Sequence, residues 1–178
     1  MRPLSEIIVH CTATRPEWWA KKSPAQKVAE VRRWHVSDRG WADIGYHFLI
    51  DRNGVTVEGR PIENVGAHTQ GRNTGTIGVA LFGGHGSAAT DRFRDHFTSQ
   101  QDMSLRILIT ALRAKYGALA LSGHNSYASK ACPGFQVDEW FNGNLSEQKP
   151  QSAEPQPHHK LLQPRSLTQT ILKMFGAR

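Results

Sequence analysis

Between Ser122 and Gly134 the chain reads Ser-Gly-His-Asn-Ser-Tyr-Ala-Ser-Lys-Ala-Cys-Pro-Gly. This places an imidazole (His124), an ammonium (Lys130) and a thiol (Cys132) in one loop bounded by Gly and Pro. Loops of this kind are where a scaffold carries chemistry. His and Cys are ligands for zinc, but two of them leave the metal underfilled. His10, at the end of the apolar run Ile7-Ile8-Val9, is the best third candidate. Three protein ligands leave one position for water, which is the catalytic rather than the structural arrangement. Zinc (Zn2+) held by His10, His124 and Cys132 would lower the pKa of a bound water to about 7 and polarise a carbonyl. Lys130, two residues before the thiol, could then stabilise an oxyanion. Tyr46 could donate a hydrogen bond there or shuttle a proton. Spacing alone leaves the alternative open, because a His and a Cys in one loop are often unrelated. The chain has no H-E-x-x-H helix, so an ordinary metalloprotease is not indicated.

These residues need a scaffold, and the chain is long enough for one. It has 178 residues, 38% of them hydrophobic and 21% charged, which suits one packed domain plus an appendage. No stretch has the length of a membrane-spanning helix, and the first residues carry no apolar signal-peptide core. The expected location is the cytoplasm of the producing cell. The 2 cysteines, Cys11 and Cys132, are expected to stay reduced there, with Cys11 a small buried hydrophobe. A formal net charge of +7 favours polyanionic partners without choosing among nucleic acid, anionic lipid and acidic wall polymers. No nucleic-acid-binding motif is present, so no nucleic acid is expected as partner.

Periodicity supplies the elements. Glu6 to His10 reads as a short buried strand. Ser23-Pro24 opens a helix with Val28, Val31, Trp34 and His35 on one face, ending at Gly40. Tyr46 to Asp51 and Val55 to Glu58 form a hairpin about Asn53-Gly54. In that strand Tyr46 and His47 point to opposite faces, and pattern does not say which one meets the site. Thr76 to Phe82 is apolar enough to be a central strand. Thr98-Ser99-Gln100-Gln101 caps a helix that buries Leu105, Leu108, Ile109 and Leu112 and stops at Gly117. A short strand, Leu119 to Leu121, leads into the His124–Cys132 loop, and Val137 to Phe141 forms a last short helix. Adjacent Trp18 and Trp19 are hard to bury together and could line the rim of a groove. From Asn142 the composition turns to Ser, Gln, Glu and Pro. The domain boundaries read as 1–142 for a catalytic domain, 143–160 for a linker and 161–178 for a cationic amphipathic tail. Such a tail can lie on an anionic membrane surface.

Several short stretches carry a family resemblance. They are Val9-His10-Cys11-Thr12-Ala13-Thr14, Gly40-Trp41-Ala42-Asp43-Ile44-Gly45-Tyr46-His47-Phe48, Val65-Gly66-Ala67-His68, Ile77-Gly78-Val79 and Lys130-Ala131-Cys132-Pro133. In this order, over roughly residues 6 to 142, they resemble the zinc-dependent N-acetylmuramoyl-L-alanine amidases of the peptidoglycan-recognition-protein type, the small endolysins of T-seven-like phages above all. The resemblance implies a single α/β domain with a central mixed β-sheet flanked by helices and the metal in a groove at its edge. It implies zinc on His10, His124 and Cys132, with Tyr46 and Lys130 as catalytic partners. It makes His35, His47 and His68 candidates for substrate binding. The implied reaction is hydrolysis of the amide between N-acetylmuramic acid and L-alanine in peptidoglycan, by a monomer released to the periplasm and wall at host lysis. The cationic tail would then engage the inner or outer membrane. A non-catalytic peptidoglycan-binding module and a bacterial wall-remodelling amidase are the other readings. The presence of Cys132 argues against the first, since modules that lose catalysis commonly lose that cysteine.

Overall fold

The computed structural model describes residues 2–143. Apart from Gly143, the segments read as linker and cationic tail lie outside the described residues. In chain order the elements are β1 (Glu6–Cys11), α1 (Pro24–Arg33), β2 (Phe48–Ile50), β3 (Thr56–Glu58), β4 (Thr76–Leu81), α2 (Phe93–His96), α3 (Ser99–Tyr116), β5 (Ala120–Gly123) and α4 (Val137–Asn142). A π turn follows α1 at Trp34–Asp38, and a 3-10 turn follows β5 at His124–Ser126. No described helix is long and apolar enough to cross a membrane.

The strands lie in the order β3-β2-β4-β1-β5. β1 is parallel to β4 and β5, β2 is parallel to β4, and β2 and β3 form an antiparallel hairpin, so the sheet is mixed as expected. The hairpin turns where Asn53-Gly54 predicts, with Gly54 at φ +81° and the Val55 N–H donating to Asn53 Oδ1. β1 and β4 are buried along their whole length, which explains their near-continuous apolarity. The register matters most for the site. β1 and β5 run in parallel with Val9 opposite Gly123, so His10 and His124 leave the same end of neighbouring strands.

α1 begins with a reciprocal cap: the Gln26 N–H donates to Ser23 Oγ and the Ser23 N–H to Gln26 Oε1. Val28 and Val31 bury its face, and the buried pair Lys27–Asp51, at 2.7 Å, ties it to the end of β2. The expected continuous helix to Gly40 is corrected. The α-helix ends at Arg33 and widens into the π turn, which sets Trp34 and His35 side by side on the cavity described below. Gly40, at φ +69°, then reverses the chain.

α3 is capped as its T-x-x-Q sequence predicts, with the Gln101 N–H donating to Thr98 Oγ1 at 3.2 Å. Gln101 is itself fully buried, and its Nε2 donates to the carbonyls of Ile50 and Phe82. The cap residue therefore also clamps the ends of two structural segments. The Thr98 hydroxyl donates to the Arg52 carbonyl at 2.6 Å. Thr98→Ala is expected to cost about 1–2 kcal/mol, because it removes the cap and that second bond together. A lowered urea midpoint at unchanged slope would register it.

Candidate metal centre and active site

The parallel β1/β5 register brings three donors from distant parts of the chain to one point. One ligand atom each from His10, His124 and Cys132 can be chosen so that all lie within 4.8 Å of one another. His10 Nδ1 stands 3.8 Å from Cys132 Sγ, and the rings of His10 and His124 have centroids 4.7 Å apart. Donors of a tetrahedral zinc, with bonds of ~2.0–2.3 Å, stand roughly 3.3–3.8 Å apart, so the group needs only a slight contraction. Two imidazoles and a thiol without a carboxylate suit zinc rather than calcium or magnesium.

Protonation favours the same reading. Burial, with the neighbouring His68, His124 and Lys130 charges, holds His10 well below the usual histidine range. Burial and then Lys130 lower His124. Both rings are therefore kept neutral, the form that binds metal. In the metal-free protein, the hydrogen bond shared with Cys11, together with burial, holds the Cys132 thiol above its ordinary value. A dication held there would reverse that balance, since a coordinating thiol is deprotonated outright. The Cys11 N–H already donates to Cys132 Sγ at 3.2 Å, and Cys11 is buried as expected.

The ligand loop is tied to the first residue of β1. Glu6, 5% exposed, accepts from the hydroxyls of Ser122 and Tyr127, and Arg72 reaches its other oxygen at 3.2 Å. The Arg72 guanidinium also lies over the Tyr127 ring, 4.4 Å from its centroid. One buried carboxylate thus fixes both the end of β5 and the loop that carries His124 and Cys132.

Tyr46 settles the ambiguity left by strand alternation. Its ring lies 5.2 Å from that of His10 and 5.4 Å from that of His35, on the side of the candidate ligands. Burial, followed by the Cys132 and Cys11 charges, raises its pKa, so the hydroxyl stays a donor. Lys130 is exposed, and its charge acts on the candidate ligands His10, His124 and Cys132. Next to Tyr46 opens a cavity of about 410 Å³, lined by Thr12, Val31, Trp34, His35, Asp38, Arg39 and Tyr46. Of these, only His35 and Tyr46 are site candidates from the sequence; Val31 and Trp34 read there as the buried face of a helix, and Thr12, Asp38 and Arg39 carry no site reading. Thr12 stands in the His10-Cys11-Thr12 motif, which was a usable signal. Trp18 packs on Trp34 and Phe82, and Trp19 stacks on Trp18.

The three histidines expected to bind substrate separate. His35 lines the cavity, with Nδ1 accepting from the Gly45 N–H at 3.0 Å. His47 and His68 are 1% and 8% exposed, and their ring nitrogens are engaged by the protein itself. His47 Nδ1 accepts from the Gly78 N–H, and its Nε2 faces the Asn64 carbonyl. His68 lies between His10 and Thr76. Burial, first of all, lowers the pKa of His47 to about 4 and that of His68 to about 3, so both are neutral.

Fold and site together describe a one-domain mixed α/β protein in which His10, His124 and Cys132 form a group that could hold a metal ion, near the cavity beside Tyr46. Residues 1–135 match the N-acetylmuramoyl-L-alanine amidase family, and the chain belongs to it. It is 42% identical over 138 residues to the endolysin of Escherichia phage T7, covering 78% of this chain and 85% of that protein. The endolysin of Klebsiella phage KP32 is 38% identical over 140 residues, covering 79% and 87%. Among solved structures, the N-acetylmuramoyl-L-alanine amidase endolysin LysCS from Clostridium intestinale superposes with a TM-score of 0.58 at 31% identity, covering 75% of this chain and 78% of that one.

Proposed function

We propose that this chain is an endolysin that hydrolyses the amide joining the lactyl group of N-acetylmuramic acid to L-alanine in peptidoglycan, with His10, His124 and Cys132 as zinc ligands. The observation that carries the reading is the convergence of those three donors beside Tyr46, in a chain of the amidase family. Zinc bound there supplies Lewis acidity and a water of lowered pKa. The protein's own groups do the rest. The open cavity beside Tyr46 receives the substrate. The Tyr46 hydroxyl, kept protonated, donates a hydrogen bond to the reacting amide and assists proton movement towards the leaving amine. The Lys130 ammonium compensates the charge that develops on the carbonyl oxygen. Neutral His10 and His124 place no competing positive charge at that point.

Mass spectrometry of the products released from purified peptidoglycan tests the proposal, with a chelator-treated control. Free stem peptides beginning at L-alanine, uncut glycan strands and a silent control are expected. New reducing ends would mean a glycosidase instead, and binding without products would mean a recognition module.

In a phage infection the enzyme would reach the wall from the cytoplasm once the membrane is opened. The basic segment 161–178 would aid its engagement of anionic membrane surfaces, a reading that rests on sequence alone. Deletion of residues 146–178 is expected to leave digestion of purified wall intact and to slow lysis of unpermeabilised cells. Equal lysis by the full and shortened chains would remove the membrane role.

A further inference from the structure

We infer that His68 is a positioning residue for the metal centre: a hydrogen-bond chain anchored on the Arg72 carbonyl runs through it to His10, fixes the His10 tautomer and aims its Nδ1 lone pair at the metal. The inference rests on the reading of His10, His124 and Cys132 as ligands.

The polarity of the chain follows from donor counting. The Thr76 hydroxyl has one proton and lies 2.7 Å from the Arg72 carbonyl, to which it donates. Towards His68 Nε2, at 3.3 Å, its oxygen is then an acceptor, so His68 carries its proton on Nε2. His68 Nδ1 is left as an acceptor, 3.1 Å from His10 Nε2. His10 must therefore donate from Nε2, which leaves Nδ1 unprotonated, and Nδ1 is the atom that faces Cys132 Sγ. The Thr69 hydroxyl lies beside the bond, 3.1 Å from His68 Nδ1 and 3.4 Å from His10 Nε2. A route through that hydroxyl, accepting from His10 and donating to His68, preserves the same order of protons.

Two glycines make the seat for this ring. A Cβ at Gly78 would stand 2.5 Å from the His68 ring, and one at Gly66 would stand 2.6 Å from it. Metal-binding histidines usually give their second N–H to a carboxylate, carbonyl or water, and losing that partner costs metal affinity. Here a second buried imidazole takes that place.

The test uses the full chain and does not depend on hydrolysis. Long-range proton–nitrogen NMR of the zinc-free wild type is expected to show both His10 and His68 protonated on Nε2. Competition with a chromophoric chelator at one fixed pH is expected to show zinc binding weakened roughly 10- to 100-fold in His68→Leu, which keeps volume and removes the acceptor. His68→Asn, whose amide oxygen can accept near the Nδ1 position, is expected to recover most of the loss. Thr76→Val is expected to mix the His68 tautomers. A role in packing alone would leave the tautomer signals of a folded Thr76→Val variant unmoved. A proton on Nδ1 of either ring in the wild type would overturn the inference, as would a folded His68→Leu protein that binds zinc like the wild type. A wild type that binds no zinc would defeat the ligand assignment, while its spectra would still decide the hydrogen-bond chain. If His68→Leu fails to fold, the wild-type and Thr76→Val spectra decide alone.

Discussion

Cys132→Ser is expected to abolish release of stem peptides from peptidoglycan while leaving wall binding measurable. The substitution exchanges a thiol for a hydroxyl, which is not ionised near neutral pH and is a poor zinc ligand. In place, Cys132 Sγ accepts the Cys11 N–H and faces His10 Nδ1, so it is a member of the donor triangle and not a neighbour of it. A hydroxyl can still accept from the Cys11 amide, so the loop should keep its place. The Glu6 contacts with Ser122 and Tyr127, which pin the same loop, are untouched. The effect should therefore fall on the metal rather than on the fold. Metal chemistry supplies several kcal/mol of transition-state stabilisation, so a fall of at least about 10³-fold in turnover is expected. Zinc content and product release should be lost together. Retained hydrolysis with zinc still bound would show that Cys132 is not a ligand, and retained hydrolysis without zinc would show that the reaction does not need the metal.

Much of this site was legible in the sequence because its residues sit where local rules are strong. His10 ends an apolar strand, and His124 and Cys132 share one short loop. The hairpin, the caps of α1 and α3 and the central position of β4 each follow from a few adjacent residues. What could not be read depended on distant partners. Alternation says that Tyr46 and His47 diverge, but which one meets His10 is decided by the rest of the sheet. The burial of His68 depends on glycines at positions 66 and 78, whose missing side chains leave space that no local pattern announces. The π turn after Arg33 keeps apolar residues close to helical spacing, so periodicity ran through it without a break. Trp18 and Trp19 looked too large to bury together. The structure stacks one on the other and lays Trp18 against Trp34 and Phe82.

Tyr46→Phe separates the contribution of the protein from that of the metal. The phenol ring packs against His10 and His35, so removing the hydroxyl alone leaves the cavity wall and the His10 contact in place. Zinc affinity and the unfolding midpoint are expected to match the wild type. What is lost is a hydrogen-bond donor that burial keeps protonated well beyond the pH of assay. Removing one preorganised donor from the position where charge develops costs roughly 10²- to 10³-fold in kcat, or about 2.7–4 kcal/mol. An interaction made only in the transition state lowers kcat and kcat/KM together, so KM for a soluble muropeptide should change little. The pH profile adds a further check. The phenol stays protonated through the neutral range, so a profile governed by Tyr46 ionisation is not expected there, and the variant should lose rate evenly from pH 6 to 8. A variant that keeps full kcat would remove Tyr46 from the chemistry and leave Lys130 as the remaining candidate for stabilising the developing charge. A variant that instead raises KM at constant kcat would assign the hydroxyl to substrate binding in the cavity.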